Sequence, residues 1–552
     1  AQATLAQDPQ MSSIQPLCPP PASAMAMPDS SRPSLHLLDA HEVVALLREG
    51  TVTTADLLDV VEARLAATES AVHATPIVCL ERARARAAKL VHPADPPPGY
   101  LYGLPVLIKD TMEVEGVLCT EGSPLQAEFI ATGSHPLVLQ LEAHGAVVVG
   151  KTNVPEFAAG SQTFNPLFPT TVSPWDTRTT AGGSSGGSAA ALASCQCWLA
   201  TGSDLGGSLR TPAAFCGVVG FRVSPGRVPR GNATPSGPLR GLHSTNGPMG
   251  RCVRDVGLFL DAMAGSSGWD FAPPALPAGQ TWEGTAIAGA AARGAVWRAG
   301  FSLLGCAFDA AVEALCRAAA DTLAGRSAAG APLPEIGADR IDFAMAQRAF
   351  LVLRGESFAT EFEEDLADPE RARLIKPEIH WNAGIGMVPE AAAMADAARA
   401  DVAALAEQVE ALFQQLDVLC TPATLEAGFD ATVRYPTEQV GQVFTNYLGW
   451  MVPACIVTVM LCPALVLPCG FLPDGRPVGV QLVGPPGGDA AVLSAAAALE
   501  ASLGLPRSCP EPRRGSAPLA TIGPRTAEEA AKHHQGEVQR FIARYSNPSG
   551  GV

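Results

Sequence analysis

The sequence is short of charge, and of positive charge above all. Only 16% of its 552 residues are Asp, Glu, Lys or Arg, and 37 basic residues face 54 acidic ones, a net −17. The usual charged share is about a quarter. Phosphate binding needs clustered Lys and Arg, so nucleic acid is excluded as the main partner. Aromatic residues are also scarce, at 6%, while hydrophobic residues reach 47%. A large core must then be built from Ala, Val and Leu, and a chain so apolar and weakly charged folds. One apolar, uncharged stretch is a membrane-span candidate by length alone. Met451–Gly470 is twenty residues long, but Pro453, Pro463 and Pro468 break it into short buried segments joined by turns. No membrane span is expected. No basic start followed by an apolar stretch marks a secretory signal. Residues 1–33 read as a flexible leader, with Met11 as an alternative start, and the expected location is cytoplasmic.

The 14 cysteines include no Cys-x-x-Cys pair. Cys455, Cys462 and Cys469 stand in apolar runs, where a free thiol behaves as a small hydrophobe. A disulfide framework is not expected in so long a chain. The histidines add no metal-ligand spacing, and neither a metal nor another cofactor is expected.

Periodicity supplies the elements. Residues 34–50 read as an amphipathic helix capped by Asp39 with Glu42 three residues on, and 53–67 repeats the pattern from Thr53 and Asp56. Residues 80–90 continue in helical style. Short apolar runs at 104–109 and 146–149 read as strands around a helix at 134–144. Further helices are expected at 251–265, 307–324, 389–416, 489–503 and 526–545, the last with a Thr526/Glu529 capping box. Strands are expected at 418–421, 464–467 and 478–483, and a polar, Pro-rich loop at 266–284. This succession suggests an α/β fold: a central twisted, mixed β-sheet covered by helices on both faces.

The densest Gly/Ser region holds the chemistry. Gly182-Gly183-Ser184-Ser185-Gly186-Gly187-Ser188 runs into an Ala-rich helix. It lacks the Gly-Lys-Ser/Thr ending of a phosphate-binding P-loop. Gly206 and Gly207 precede Ser208, and glycines there let backbone N–H groups converge beside a serine hydroxyl. A serine nucleophile needs a base. Ser208 stands in no Gly-x-Ser-x-Gly elbow and no histidine stands out as its partner. Lys109, the single charge ending the run Leu104–Ile108, is the alternative, because burial lowers a lysine pKa.

Gly103–Asp110, Gly150–Phe157, Gly182–Ser188 and Gly202–Arg210 resemble, in order and spacing, the motifs of the amidase signature family. Pro212–Gly220, Gly247–Met249 and Pro463–Gly470 extend the likeness, which spans roughly residues 38–505. It implies one amidase signature domain over residues 34–512, followed by a polar tail with a helix over 513–552. It also implies a Ser–cis-Ser–Lys triad of Ser208, Ser184 and Lys109. The N–H groups of Leu205, Gly206, Gly207 and Ser208 would form the oxyanion hole. Asp204 and Arg210 would brace the loop as a pair, with Ser185 in support. Phe221-Arg222, Gly226–Pro229 and Lys376-Pro377-Glu378 with Trp381-Asn382 are similar to the branch that contains 6-aminohexanoate cyclic-dimer hydrolase. Val223 and Cys462 depart from that branch's usual Pro and Gly.

The implied activity is hydrolysis of a carboxylic amide, with esters and carbamates also open, through a Ser208 acyl-enzyme. Ser161, Gln162 and Trp381 are the pocket candidates. The expected partner is a small-molecule amide, and a homodimer is left open. Two rivals stand beside this reading. One is a glutaminase-type subunit of an amidotransferase, which would need partner subunits. The other is a non-catalytic binding protein on the same scaffold, of a kind that loses triad members, whereas this chain keeps Lys109, Ser184 and Ser208.

Overall fold

The computed structural model describes residues 34–231, 244–265, 273–326, 333–506, 510–512 and 538–540. The expected leader and most of the expected tail helix lie outside them; residues 538–540 are helical. Among the described residues, those from Leu35 onward form one compact unit.

Its centre is a ten-stranded mixed sheet flanked by helices. In spatial order the strands are Ile77–Val78, Val147–Thr152, Pro105–Lys109, Leu199–Asp204, Thr245–Gly250, Val219–Arg222, Ala464–Phe471, Pro477–Val483, Val418–Pro422 and Ala299–Phe301. Pro105–Lys109 runs parallel to both neighbours, Val147–Thr152 and Leu199–Asp204. Such strands are covered on both faces and read as continuous apolar runs. Every residue of Pro105–Lys109 and of Val147–Thr152 is buried, the two lysines included. Beyond Leu199–Asp204 the pairing is antiparallel as far as Val418–Pro422.

Local signals place most helices within two or three residues. The helix expected over 34–50 is an exception: the Asp39 N–H donates to Glu42 at 2.8 Å, so the α-helix starts after it and runs Ala40–Arg48, with Leu35–Leu37 a separate 3-10 turn. Thr53 caps Thr54–Val72, five residues longer than its periodicity suggests. Asp309 accepts from the N–H groups of Ala311 and Val312, so the helix expected from 307 begins at Ala310. The uncharged stretch folds as Val452–Val459 and then Ala464–Phe471. Pro468 does not make a turn there; it lies within the strand, where the register shifts between Pro468 and Gly470. No helix among the described residues is long and apolar enough to cross a membrane.

Several elements escape the pattern reading, including the strands Leu199–Asp204, Val219–Arg222, Thr245–Gly250 and Ala299–Phe301 and the helix Pro377–Gly386; two further helices show why. Trp282–Ala291 is a helix capped by Thr281, inside the stretch expected to be loop. Phe343–Glu361 is a helix of 19 residues packed against Pro377–Gly386, Ala391–Phe413 and Val452–Val459. It is buried on more than one side, so its apolar residues show no single stripe. The twelve described cysteines are free thiols.

Candidate active site

Two lysines lie fully buried on adjacent parallel strands, with Ile108 opposite Lys151 and Lys109 opposite Thr152. Their surroundings separate them. Lys151 Nζ donates to Asp110 Oδ1 at 2.7 Å. Burial works against its charge, but the Asp110 carboxylate more than compensates and its pKa is raised. Lys109 has no carboxylate in contact among the described residues. Its Nζ donates to Ser184 Oγ at 2.7 Å and to Ser203 Oγ at 2.8 Å. Burial pushes its pKa down from 10.5 to about 7, with Asp204 and Glu121 pulling weakly the other way. Near neutral pH it therefore has a lone pair to offer, which a paired lysine does not.

Ser184 follows a cis peptide bond, Gly183–Ser184. A Cβ on Gly183 would lie 3.0 Å from the backbone of Ser161 and Gln162, so only glycine permits this close approach. Ser185 stitches the loop to the next strand: its Oγ accepts from the Ser203 N–H at 3.3 Å, and its N–H donates to the Ser208 carbonyl at 3.1 Å. Ser208 is almost buried, at 6% exposure. Its Oγ makes no hydrogen bond among the described residues, so the Lys109–Ser184 half of the expected relay is formed and the Ser184–Ser208 half is not.

Asp204 organises the loop that carries Ser208. Its carboxylate accepts from the N–H groups of Gly207 and Leu209 and from Arg210 Nε and Nη2, all at 2.9–3.1 Å. Arg222 Nη1 donates to the Asp204 carbonyl at 2.6 Å. Burial would raise the Asp204 pKa, but Arg210 and Arg222 hold it far below the ordinary carboxylate range. The expected Asp204–Arg210 pair is thus present, with Arg222 as an additional member.

This bracing revises the expected oxyanion hole. The Gly207 N–H is given to Asp204 and is not free for a substrate. Gly207 serves the turn instead. Its φ of +96° lies in the left-handed region, and a Cβ there would come 2.6 Å from Ala454 Cβ. The N–H groups of Leu205, Gly206 and Ser208 have no partner among the described residues. Phe350 and Met451 close over Gly206, 3.3 and 3.4 Å from where a Cβ would stand.

The pocket candidates divide. Ser161 is buried with its Oγ unbonded, and it lines a small crevice with Phe164, Lys376, Arg434, Tyr435 and Tyr447. Gln162 lines the same crevice, but its amide is used up: Nε2 donates to Ala431 and Val433 carbonyls and Oε1 accepts from Thr180. It holds the fold rather than a ligand. Trp381 is likewise a core residue, edge-on to Tyr447 at 5.8 Å.

Sequence reasoning missed Ser203 and Thr201. Thr201 Oγ1 accepts from the Lys109 N–H at 2.9 Å. The two residues sit two apart on the strand next to Lys109, so period-2 alternation puts both side chains on the lysine's side. Elsewhere, Asp39, His41 and Cys252 come within 4.8 Å of one another. His41 Nδ1 is already bonded to Asp255 at 2.7 Å, and burial raises the Cys252 thiol well above its ordinary pKa. This group is a structural tie between the first helix and the turn before Val253.

The family model for amidases matches residues 56–493. The chain belongs to the amidase signature family. The A subunit of the glutamyl-tRNA(Gln) amidotransferase of Chloroflexus aggregans is 32% identical over 83% of this chain and 95% of its own length. Its counterpart in Solidesulfovibrio magneticus is 33% identical over 79% and 91%. Among solved structures, 6-aminohexanoate cyclic dimer hydrolase complexed with substrate is 26% identical, with a TM-score of 0.71 over 85% of this chain and 97% of that one. Membership of this family makes the chain an enzyme type that acts on carbon–nitrogen bonds of amides.

Proposed function

We infer that the chain hydrolyses a carboxylic amide through an acyl-enzyme on Ser208. The observation that carries this reading is Lys109: fully buried, without a carboxylate in contact among the described residues, and 2.7 Å from Ser184 Oγ.

Neutral Lys109 accepts the Ser184 proton while Ser184 accepts that of Ser208, whose Oγ has turned toward it. Ser208 Oγ bonds to the carbonyl carbon and the π pair moves to oxygen. The N–H groups of Leu205, Gly206 and Ser208 receive that oxyanion, each such donor being worth about 2.7–4 kcal/mol in other hydrolases. The C–N bond breaks as the proton on Lys109 returns through Ser184 to the departing nitrogen. Water then repeats the sequence in place of Ser208, releasing the carboxylic acid and restoring the hydroxyl.

The likeness to 6-aminohexanoate cyclic dimer hydrolase supports hydrolysis as the complete reaction. The similarity to amidotransferase subunits favours the second reading, in which the released ammonia passes to a partner. Two measurements separate them. A fluorophosphonate probe is expected to label Ser208 in the wild type, with turnover of simple amides, and Ser208→Ala is expected to lose both. No labelling of the folded protein would refute the nucleophile and point to a binding protein. Amide turnover that appears only with added partner subunits would establish the amidotransferase reading.

A further inference from the structure

Arg354 is a buried cation without an anion. It lies on helix Phe343–Glu361 at 7% exposure. Its Nε and Nη2 donate to neutral oxygens only: the Tyr447 hydroxyl at 3.2 and 2.9 Å, and Asn382 Oδ1 at 3.2 Å. Nη1 makes no hydrogen bond, and no carboxylate pairs with the guanidinium, among the described residues. Burying an unpaired charge is costly, and most buried arginines meet a carboxylate or phosphate.

The neighbourhood offers the charge an aromatic face, with the guanidinium carbon 4.4 Å from the Phe358 ring centre, but no anion among the described residues. Tyr447 links Arg354 to the crevice lined by Ser161, Lys376, Glu378 and Arg434. Glu378 is held at both oxygens by Arg434, at 2.9 and 2.6 Å. Lys376 donates to the Ala159 carbonyl, and the other buried carboxylate near it is Glu156, whose Oε1 accepts from Ser123 at 3.0 Å. Three cations thus share two carboxylates, with the Ser161 hydroxyl unbonded beside them. The cluster also adjoins the reaction centre. Phe350, one helical turn before Arg354, packs on Gly206, and Ser161 and Gln162 pack on Gly183.

We propose that Arg354 is a specificity residue for substrates that carry a carboxylate besides the scissile amide. The substrate anion completes the ion pair that the fold leaves open, and a neutral amide of the same shape leaves the guanidinium buried and unpaired. Charge-assisted hydrogen bonds of this kind correspond to about tenfold to a hundredfold in binding. The proposal rests on the amide-hydrolysis reading of Ser208, and its test keeps the two apart.

The test uses two pairs. Glutaramate is compared with 5-methylhexanamide, which has an isopropyl group in place of the carboxylate. N-butyrylglycine is compared with N-isobutylbutyramide, which moves the charge to the amine side. In the wild type the anion of at least one pair is expected to exceed its neutral partner about tenfold or more in kcat/KM, through KM. Arg354→Gln is expected to lower that ratio about tenfold, and Arg354→Lys to retain part of it. The ratio is internal to each protein, so a general loss of activity cancels. A neutral preference in both pairs, or an unchanged ratio in Arg354→Gln, overturns the proposal, and Arg354→Lys supplies the same comparison where Arg354→Gln fails to fold. Calorimetric binding of the two anions to Ser208→Ala protein needs no turnover. Anion binding that depends on Arg354, with no amide hydrolysed by the wild type, upholds the proposal and refutes the hydrolase reading. Hydrolysis of neutral amides without anion selectivity does the reverse.

Discussion

The depressed pKa of Lys109 sets the reaction's acid limb. With a pKa of about 7, about one lysine in eleven is neutral at pH 6 and about ten in eleven at pH 8. Acylation that depends on the neutral amine must rise about tenfold between those values and level off above them. The assay is the second-order rate of fluorophosphonate labelling at Ser208 from pH 5 to 9, which requires no knowledge of the substrate. Other buried groups titrate in the same range. Burial raises Glu69, Glu156 and Glu500 to about 7 and Glu121 to about 8, and lowers Lys376 to about 8. Lys109→Met supplies the control. Its residual labelling should be slow and should lack the rise.

Stability provides a second reading of the same group. The unfolded chain keeps the Lys109 proton up to about pH 10.5, while the folded chain releases it near 7. Between those values the unfolded state binds more protons, so this term makes stability rise with pH. Below pH 7 both states are protonated and the full cost of a buried charge is present. Lys109→Met should therefore gain most over the wild type below pH 7, with the gain shrinking as pH rises toward 10. A labelling rate that is flat from pH 6 to 8, or a stability difference that does not vary with pH, would refute Lys109 as an uncompensated buried base.

Two further substitutions test the nucleophile loop. Asp204→Asn leaves Arg210 and Arg222 buried without their anion and should cost about 3–5 kcal/mol in denaturant unfolding; a loss under about 1 kcal/mol would show that Gln481 and Thr458, which also bind Arg210, carry the loop alone. Gly207→Ala puts a Cβ 2.6 Å from Ala454 at a left-handed φ. It should slow Ser208 labelling by about fivefold to a hundredfold, taking the strain as about 1–3 kcal/mol, and labelling at the wild-type rate would contradict the described turn.

The sequence made a strand legible where it appears as an apolar run, as at Pro105–Lys109 and the first half of Val147–Thr152. Leu199–Asp204, Val219–Arg222 and Thr245–Gly250 are buried almost as fully, but glycine and polar residues break their runs. Helix ends were legible where a side chain caps them, as at Asp39 and Thr53. Phe343–Glu361 was not legible, since packing against three helices spreads its apolar residues around the axis. That omission mattered, because this helix brings Phe350 and Arg354 to the site. Within the site, motif spacing selected Lys109, Ser184 and Ser208, but it gave no account of hydrogen-bond allocation. Gly207 is a brace donor because Asp204 lies three residues before it, and a count of glycines beside a serine does not distinguish a brace from an oxyanion donor.

The two buried lysines show how allocation decides chemistry. Both end or interrupt apolar runs, and Asp110 directly follows Lys109, which suggests a Lys109–Asp110 pair. Successive side chains leave a strand on opposite sides, so Asp110 turns away from its neighbour. It reaches Lys151 on the adjacent strand and accepts from Thr120 Oγ1 at 2.6 Å. The carboxylate nearest in sequence is thereby removed from Lys109. What remains around its amine is two serine hydroxyls, and two hydroxyls cannot hold a charge that burial opposes. The same acid that keeps Lys151 charged is thus what leaves Lys109 free to act as a base, and moving it, for example by Asp110→Asn, would disturb Lys151 first and Lys109 only through it.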